Sequence, residues 1–184
     1  MATIDLIVLG MLKKESLSAY DIQKLVEYRN ISRWVKISTP SIYKKVIQLE
    51  EKGYIESNII KNGRMPEKTI YSLTDAGKKE FETLMFEISS KPVHLFLDFN
   101  AVIVNLTNLT PDNQKKCLTD IEENVKILKT YLEENIITKE NKSDIPVTGM
   151  AVLQQQLILT QTIETWIASL KEHLTTYSKE TIID

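Results

Sequence analysis

The stretch STPSIYKKVIQLEEKGYI, residues 38–55, places Thr39, Ser41, Tyr43 and Lys44 in the opening turns of one amphipathic segment. Hydroxyls and an ammonium at a helix N-terminus suit an anion, because the first backbone N–H groups are unpaired and the dipole is positive there. The chemistry is noncovalent. Lys44 and Tyr43 suit phosphate and sugar, and Ser41 with Thr39 suit base edges in a groove-sized helix. Lys45 flanks them at a position that helical spacing turns aside. A second polar and basic group, Lys61, Asn62, Arg64 and Lys68, surrounds the stretch KNGRMPE, whose Asn62–Gly63 is a strong turn signal. A basic hairpin tip of this kind suits the adjacent phosphates or the minor groove.

Those residues need elements to hold them. Ile4–Leu12 is apolar around much of its circumference and predicts a buried helix. Ser18 reads as the N-cap of a second helix over 19–28, with Ile22, Leu25 and Val26 on one face. Residues 29–38 lack that period and read as a loop or short strand, with Trp34 and Val35 tucked into the core. Thr39 as N-cap and Pro40 at the first helical position open the third helix. Its core face is Ile42, Val46 and Leu49, Tyr43, Lys44 and Ile47 lie off that face, and Gly53 stops it. Strands over 54–60 and 68–73 follow. Thr74 then caps a fourth helix with Phe81, Leu84, Met85 and Ile88 as its buried stripe. Three helices, a hairpin and a further helix describe a winged helix-turn-helix over residues 1–89.

Residues 90–184 read as a helical domain. The segment 91–109 is apolar nearly all round and predicts a helix sandwiched between others. Asp98 within it, and its length of about 19 residues, make it a poor membrane span. Thr110 and Pro111 restart the chain as N-cap and first helical residue. Leu118, Ile121, Val125, Leu128 and Leu132 then follow coiled-coil spacing. A polar break at 141–149 precedes a last helix from about Met150. Its seam comprises Leu153, Leu157, Ile163, Ile167, Leu170 and Leu174, continues to Tyr177 and is interrupted at Thr160. So much seam predicts dimerisation. The expected fold class is mainly α with a small β-hairpin, its C-terminal antiparallel helices forming a coiled-coil-like dimer. Phe96, Phe99, Tyr131 and Trp166 have two readings: walls of an effector site for a planar aromatic ligand, or plain packing.

Composition narrows the class. The 184 residues are 42% hydrophobic and 26% charged, with net charge −2. That charge is uneven: residues 1–85 hold 14 basic against 11 acidic side chains, a balance of +3, and residues 86–184 hold 9 against 14, a balance of −5. A basic N-terminal module facing something anionic follows. The single cysteine, Cys117, excludes an intrachain disulfide framework and fits a reducing compartment. The opening MATIDLIVLG has no basic n-region, so it does not read as a signal peptide. The expected location is cytoplasmic, with no membrane association. His94 and His173 have no ligand-spaced neighbours, and neither a nucleophile elbow nor a phosphate loop occurs. No metal, no cofactor and no enzyme activity is expected.

The stretches LIVLGMLKKESLSAYDI, STPSIYKKVIQLEEKGYIES and GRMPEKTIYSLTDAGKKEF resemble the PadR-like family of winged-helix transcriptional regulators. Pro40, Ile42, Tyr43, Leu49, Glu50, Gly53, Tyr54 and Ile55 match its recognition-helix pattern. Pro66, Lys68, Tyr71, Leu73, Thr74 and Gly77 match its wing and the turn into the fourth helix. Ala19 departs from it, standing where the family often has glycine. The resemblance is specific over about residues 4–85 and architectural beyond. It implies a homodimer on double-stranded DNA with an inverted-repeat operator, usually a repressor, in some members relieved by phenolic acids or planar drugs. The rival expectation is a winged-helix protein-interaction module without DNA binding, supported by the acidic pI of about 5.8.

Overall fold

A computed structural model describes residues 2–35, 39–61, 67–142 and 144–180, with the backbone alone described at Ala2, Thr39, Pro40 and 175–180. The chain divides into two units, Met1–His94 and Leu95–Asp184.

The first unit begins with α1 (Ala2–Leu12) and α2 (Ala19–Tyr28). Ser18 caps α2 with a full capping box. Its hydroxyl oxygen accepts from the Asp21 amide at 3.2 Å, and the Asp21 carboxylate accepts from the Ser18 amide at 3.1 Å. A 3-10 turn at Ile31–Arg33 replaces the expected loop or strand, with Trp34 and Val35 packed against the core. Helix α3 (Thr39–Glu51) starts one position earlier than a Thr39 cap implies. It ends as the sequence predicts. Gly53 takes φ 72°, its amide donates to Glu50 O at 2.8 Å, and the Tyr54 amide donates to Leu49 O at 3.0 Å. That pair of bonds satisfies two carbonyls that a helix end otherwise leaves bare.

Strands β1 (Ile55–Ile60) and β2 (Lys68–Leu73) pair antiparallel from Ile55↔Leu73 to Ile60↔Lys68. The Asn62–Gly63 turn lies outside the described residues. On its other edge β2 is held by Leu17, which exchanges backbone bonds with Tyr71 at 3.1 and 2.9 Å. The strand edge is thereby joined to the α1–α2 connection. Helix α4 (Asp75–Ser89) is capped by Thr74, whose hydroxyl accepts from the Gly77 amide at 3.0 Å and donates to Gly53 O at 2.7 Å. One side chain thus starts α4 and fastens it to the end of α3. Val8, Leu9, Leu12, Ile22, Ile42, Val46, Leu49 and Leu84 are core. Met85 is not, because it is 49% exposed on the outer side of α4.

The helix expected over 91–109 is absent. Residues 92–97 are irregular, α5 spans only Asn100–Val104, and a 3-10 turn covers Leu106–Asn108. Val93, Leu95 and Phe96 are exposed rather than sandwiched. An all-round apolar helix needs neighbours on every side, and these three residues are left exposed. Helices α6 (Pro111–Glu140) and α7 (Val147–Glu180) pack on each other. Thr110 holds the cap position of α6 without a capping side-chain bond.

Lys129 reaches Glu164 at 2.8 Å and Lys171 reaches Glu122, so contacts run in opposite order along the two helices. The helices are antiparallel. Leu118, Val125 and Leu132 of α6 and Leu153 and Ile167 of α7 are buried within the single chain. Ile121, Leu157, Ile163, Leu170 and Leu174 are half-buried, and Leu128 is exposed, off the seam. Thr160 continues the seam instead of interrupting it, because its hydroxyl donates to Gln156 O at 2.8 Å and can be buried. Tyr177 lies outside the described side chains.

Among the described residues Gly77 is the least replaceable glycine: a Cβ there would stand 2.0 Å from Tyr54 O, a backbone atom. Gly77→Ala is expected to destabilise the first unit by about 3 kcal/mol. A lower urea midpoint at unchanged slope is the readout.

Candidate nucleic-acid interface

Helix α3 shows its two sides plainly. Ile42, Val46 and Leu49 are fully buried against the rest of the core, which sets the rotation of the helix about its axis. Tyr43, Lys44 and Ile47 then face outward, Tyr43 at 44% and Ile47 at 53% exposure, and Ser41 is half-buried at the margin. No acid occupies the first turn, so the positive end of the dipole is not neutralised by a side chain there. The side chain of Thr39 lies outside the described residues.

Lys45 is turned inward and does not flank the exposed group. Its Nζ lies 2.7 Å from Asp5 Oδ1 on α1, with only 9% and 13% of the two side chains exposed. The contact is an ion pair between two nearly buried side chains. The two neighbouring lysines therefore have opposite roles: Lys45 is structural and Lys44 faces solvent.

The hairpin is less uniformly available. Lys61 is exposed and pairs with Glu67 at 3.3 Å, a surface contact of little strength. Lys68 reaches Asp21 at 2.8 Å and so ties β2 to the cap of α2. Burial alone would raise the Asp21 carboxyl, yet the bonds from Lys68 and Ser18 prevail and hold it below its ordinary range. Asn62 and Arg64 lie outside the described residues.

The aromatic candidates are only partly brought together. The Phe99 and Trp166 rings stack with centroids 6.1 Å apart and an interplanar angle of 25°. Phe96 is 86% exposed in the irregular segment, and Tyr131 is half-buried on α6. An open pocket of about 420 Å³ lies elsewhere in this unit, lined by Asp112, Lys115, Leu118, Lys171 and Leu174. His94 lies in irregular chain, not on a helix. Among the described residues no three His, Cys, Asp or Glu side chains are grouped to hold a metal, and no helix is long and apolar enough to cross a membrane.

Ile47 is the outward residue that sequence reasoning left without a role. The signal was there: a β-branched apolar residue one turn after Tyr43 that the core does not use.

Comparison with known proteins gives a consistent picture. A family model for a winged helix DNA-binding domain matches residues 16–90. The negative transcriptional regulator PadR of Bacillus subtilis (strain 168) is 31% identical over 80 residues, 44% of this chain and 43% of that protein. The match thus spans less than half the length of that relative. Bacillus subtilis PadR in complex with operator DNA superposes with a TM-score of 0.77 at 22% identity, over 91% of this chain and 97% of that one. The same regulator in complex with p-coumaric acid gives 0.75 at 20% identity, over 91% and 92%. At these identities the two structures establish the fold.

Lys45→Ala would leave the Asp5 carboxylate buried without a counter-charge and is expected to cost about 3 kcal/mol of stability. Lys44→Ala, one residue away, should change stability by less than about 0.5 kcal/mol. Paired urea titrations separate the two. Equal losses would contradict the assignment of one lysine to the core and the other to the outer face.

Proposed function

We propose that this protein is a sequence-specific DNA-binding regulator of transcription, a reading supported by the match of residues 16–90 to a family model for a winged helix DNA-binding domain and by the fold shared with PadR-like regulators. The observation behind the reading is the two-sided α3. Its inner face is locked in the core by Ile42, Val46, Leu49 and Lys45, so its N-terminal half presents Tyr43 and Lys44 with Ser41 at the margin. Lys44 neutralises a phosphate, Tyr43 bonds phosphate or sugar, and Ser41 with Thr39 works near base edges. Lys61, with Asn62 and Arg64 at the hairpin tip, meets the neighbouring backbone. Lys68 joins them only by exchanging Asp21 for phosphate.

The protein acts as a homodimer on an inverted repeat, two α3 helices entering successive major grooves about 34 Å apart. Repression is the favoured sense of regulation, the sense in which the Bacillus subtilis relative is described. The deepest seam residues are already covered within one chain. A second copy therefore covers what they leave bare, including Ile127, Leu128 and Ile137 of α6 and Ile158 of α7. No catalytic step is assigned, and the proposed compartment is the cytoplasm. A planar aromatic effector is the second element of the proposal. It is supported by the Phe99–Trp166 stack and by the p-coumaric acid complex of the relative.

Genomic fragments retained by the purified protein should converge on one inverted repeat. Lys44→Ala is expected to weaken all duplexes alike and to lower the slope of log affinity against log salt by about one. An unchanged slope would remove Lys44 from the phosphate contacts. If a folded dimer retained no fragment at low salt, the reading would move to a protein-interaction module. For the effector, Trp166 fluorescence in a Trp34→Phe background should be quenched saturably by an aromatic acid. The absence of any saturable change would return the aromatic residues to packing.

A further inference from the structure

Ile47 is 53% exposed on the helix that the proposed function places in the major groove. Helical spacing sets it between Tyr43 and Lys44 on the outward face, in the third turn of α3. Three ordinary explanations fall short. It is not core, since Ile42, Val46 and Leu49 fill that side completely. It is not chosen for helix propensity, because a β-branched residue is a poorer helix former than the straight-chain residues that suit an exposed site. An i, i+4 contact with Tyr43 stabilises a helix by only about 0.2–0.5 kcal/mol, and it leaves half of the side chain in water.

The rest of the outward face sharpens the point. Helix α3 has no arginine, the usual bidentate partner of guanine, and one of its two lysines is buried against Asp5. Gln48 beside Ile47 is half-exposed, and glutamine pairs bidentately with adenine. The single apolar group that a base edge offers in the major groove is the C5 methyl of thymine.

We propose that Ile47 is a specificity-determining residue that packs on a thymine methyl in each operator half-site, so that each half-site carries an A·T pair at that position. The inference rests on the DNA-binding reading above. The water-exposed isoleucine becomes dry only when that methyl covers it, and the gain vanishes for any other base at that position.

The test uses the full-length protein and the duplex it selects. Each thymine is replaced singly by uracil, which removes the methyl and nothing else, and affinity is measured for the wild type, Ile47→Ala and Ile47→Val. One thymine per half-site should cost the wild type about fourfold on conversion to uracil, the worth of one buried methyl group. Ile47→Ala should be indifferent at that thymine, and Ile47→Val should recover most of the sensitivity. A merely helix-stabilising isoleucine would show no such coupling to a single methyl. If no thymine separates wild type from Ile47→Ala, the inference is overturned while the DNA-binding reading stands. If the folded protein selects no duplex at all, both fall together.

Discussion

Everything on the outward face of the first unit depends on how α3 is seated. Three fully buried side chains, Ile42, Val46 and Leu49, set its rotation, and the Lys45–Asp5 ion pair adds a charge contact to α1. A buried ion pair contributes little net stability, because desolvation of both partners offsets most of their attraction. Its value is register: any rotation of α3 that brought Lys45 outward would strand Asp5 and lift the aliphatic side chains out of the core. The same rotation would carry Tyr43, Lys44 and Ile47 off their shared face. The interface is thus preorganised by what lies behind it.

The hairpin is positioned by connections along both sides. Leu17 and Tyr71 exchange backbone bonds, and Thr74 ties the start of α4 to the carbonyl of Gly53 at the end of α3. Lys68 reaches across to Asp21, itself half of the α2 capping box. Small sheets are weak alone, and a two-stranded hairpin is marginal in water. These side connections explain how two such short strands are held in place against the helices of the first unit.

The second unit solves a different problem. Two long helices with continuous apolar seams close on each other within one chain, aided by Lys129–Glu164 and Lys171–Glu122 across the packing. Burial of Lys139 near the end of α6 pushes its ammonium down, with Lys142 nearby adding to the effect. What remains uncovered are apolar residues on the other sides of the pair and in the irregular segment before α5.

Features written in adjacent residues were legible in the sequence. Ser18, Thr74 and Gly53 act within a few positions of themselves, so caps, stops and the periodicity of α3 could be read directly, as could the outward placement of Tyr43 and Lys44. The pairing of Lys45 with Asp5 and of Leu17 with Tyr71 could not, since each joins distant positions whose meeting depends on the folded core. The apolar run at 91–109 misled because hydrophobicity without a polar face says that a segment wants cover, not which conformation the chain adopts. The α6 and α7 seams gave the right spacing but not the partner: heptad pattern is the same whether the facing helix belongs to this chain or another. Residue type and spacing therefore determined the capped and periodic helices, the two strands and the candidate contacts. Only tertiary packing, which decides what each face meets, separated Lys44 from Lys45 and left Ile47 facing out.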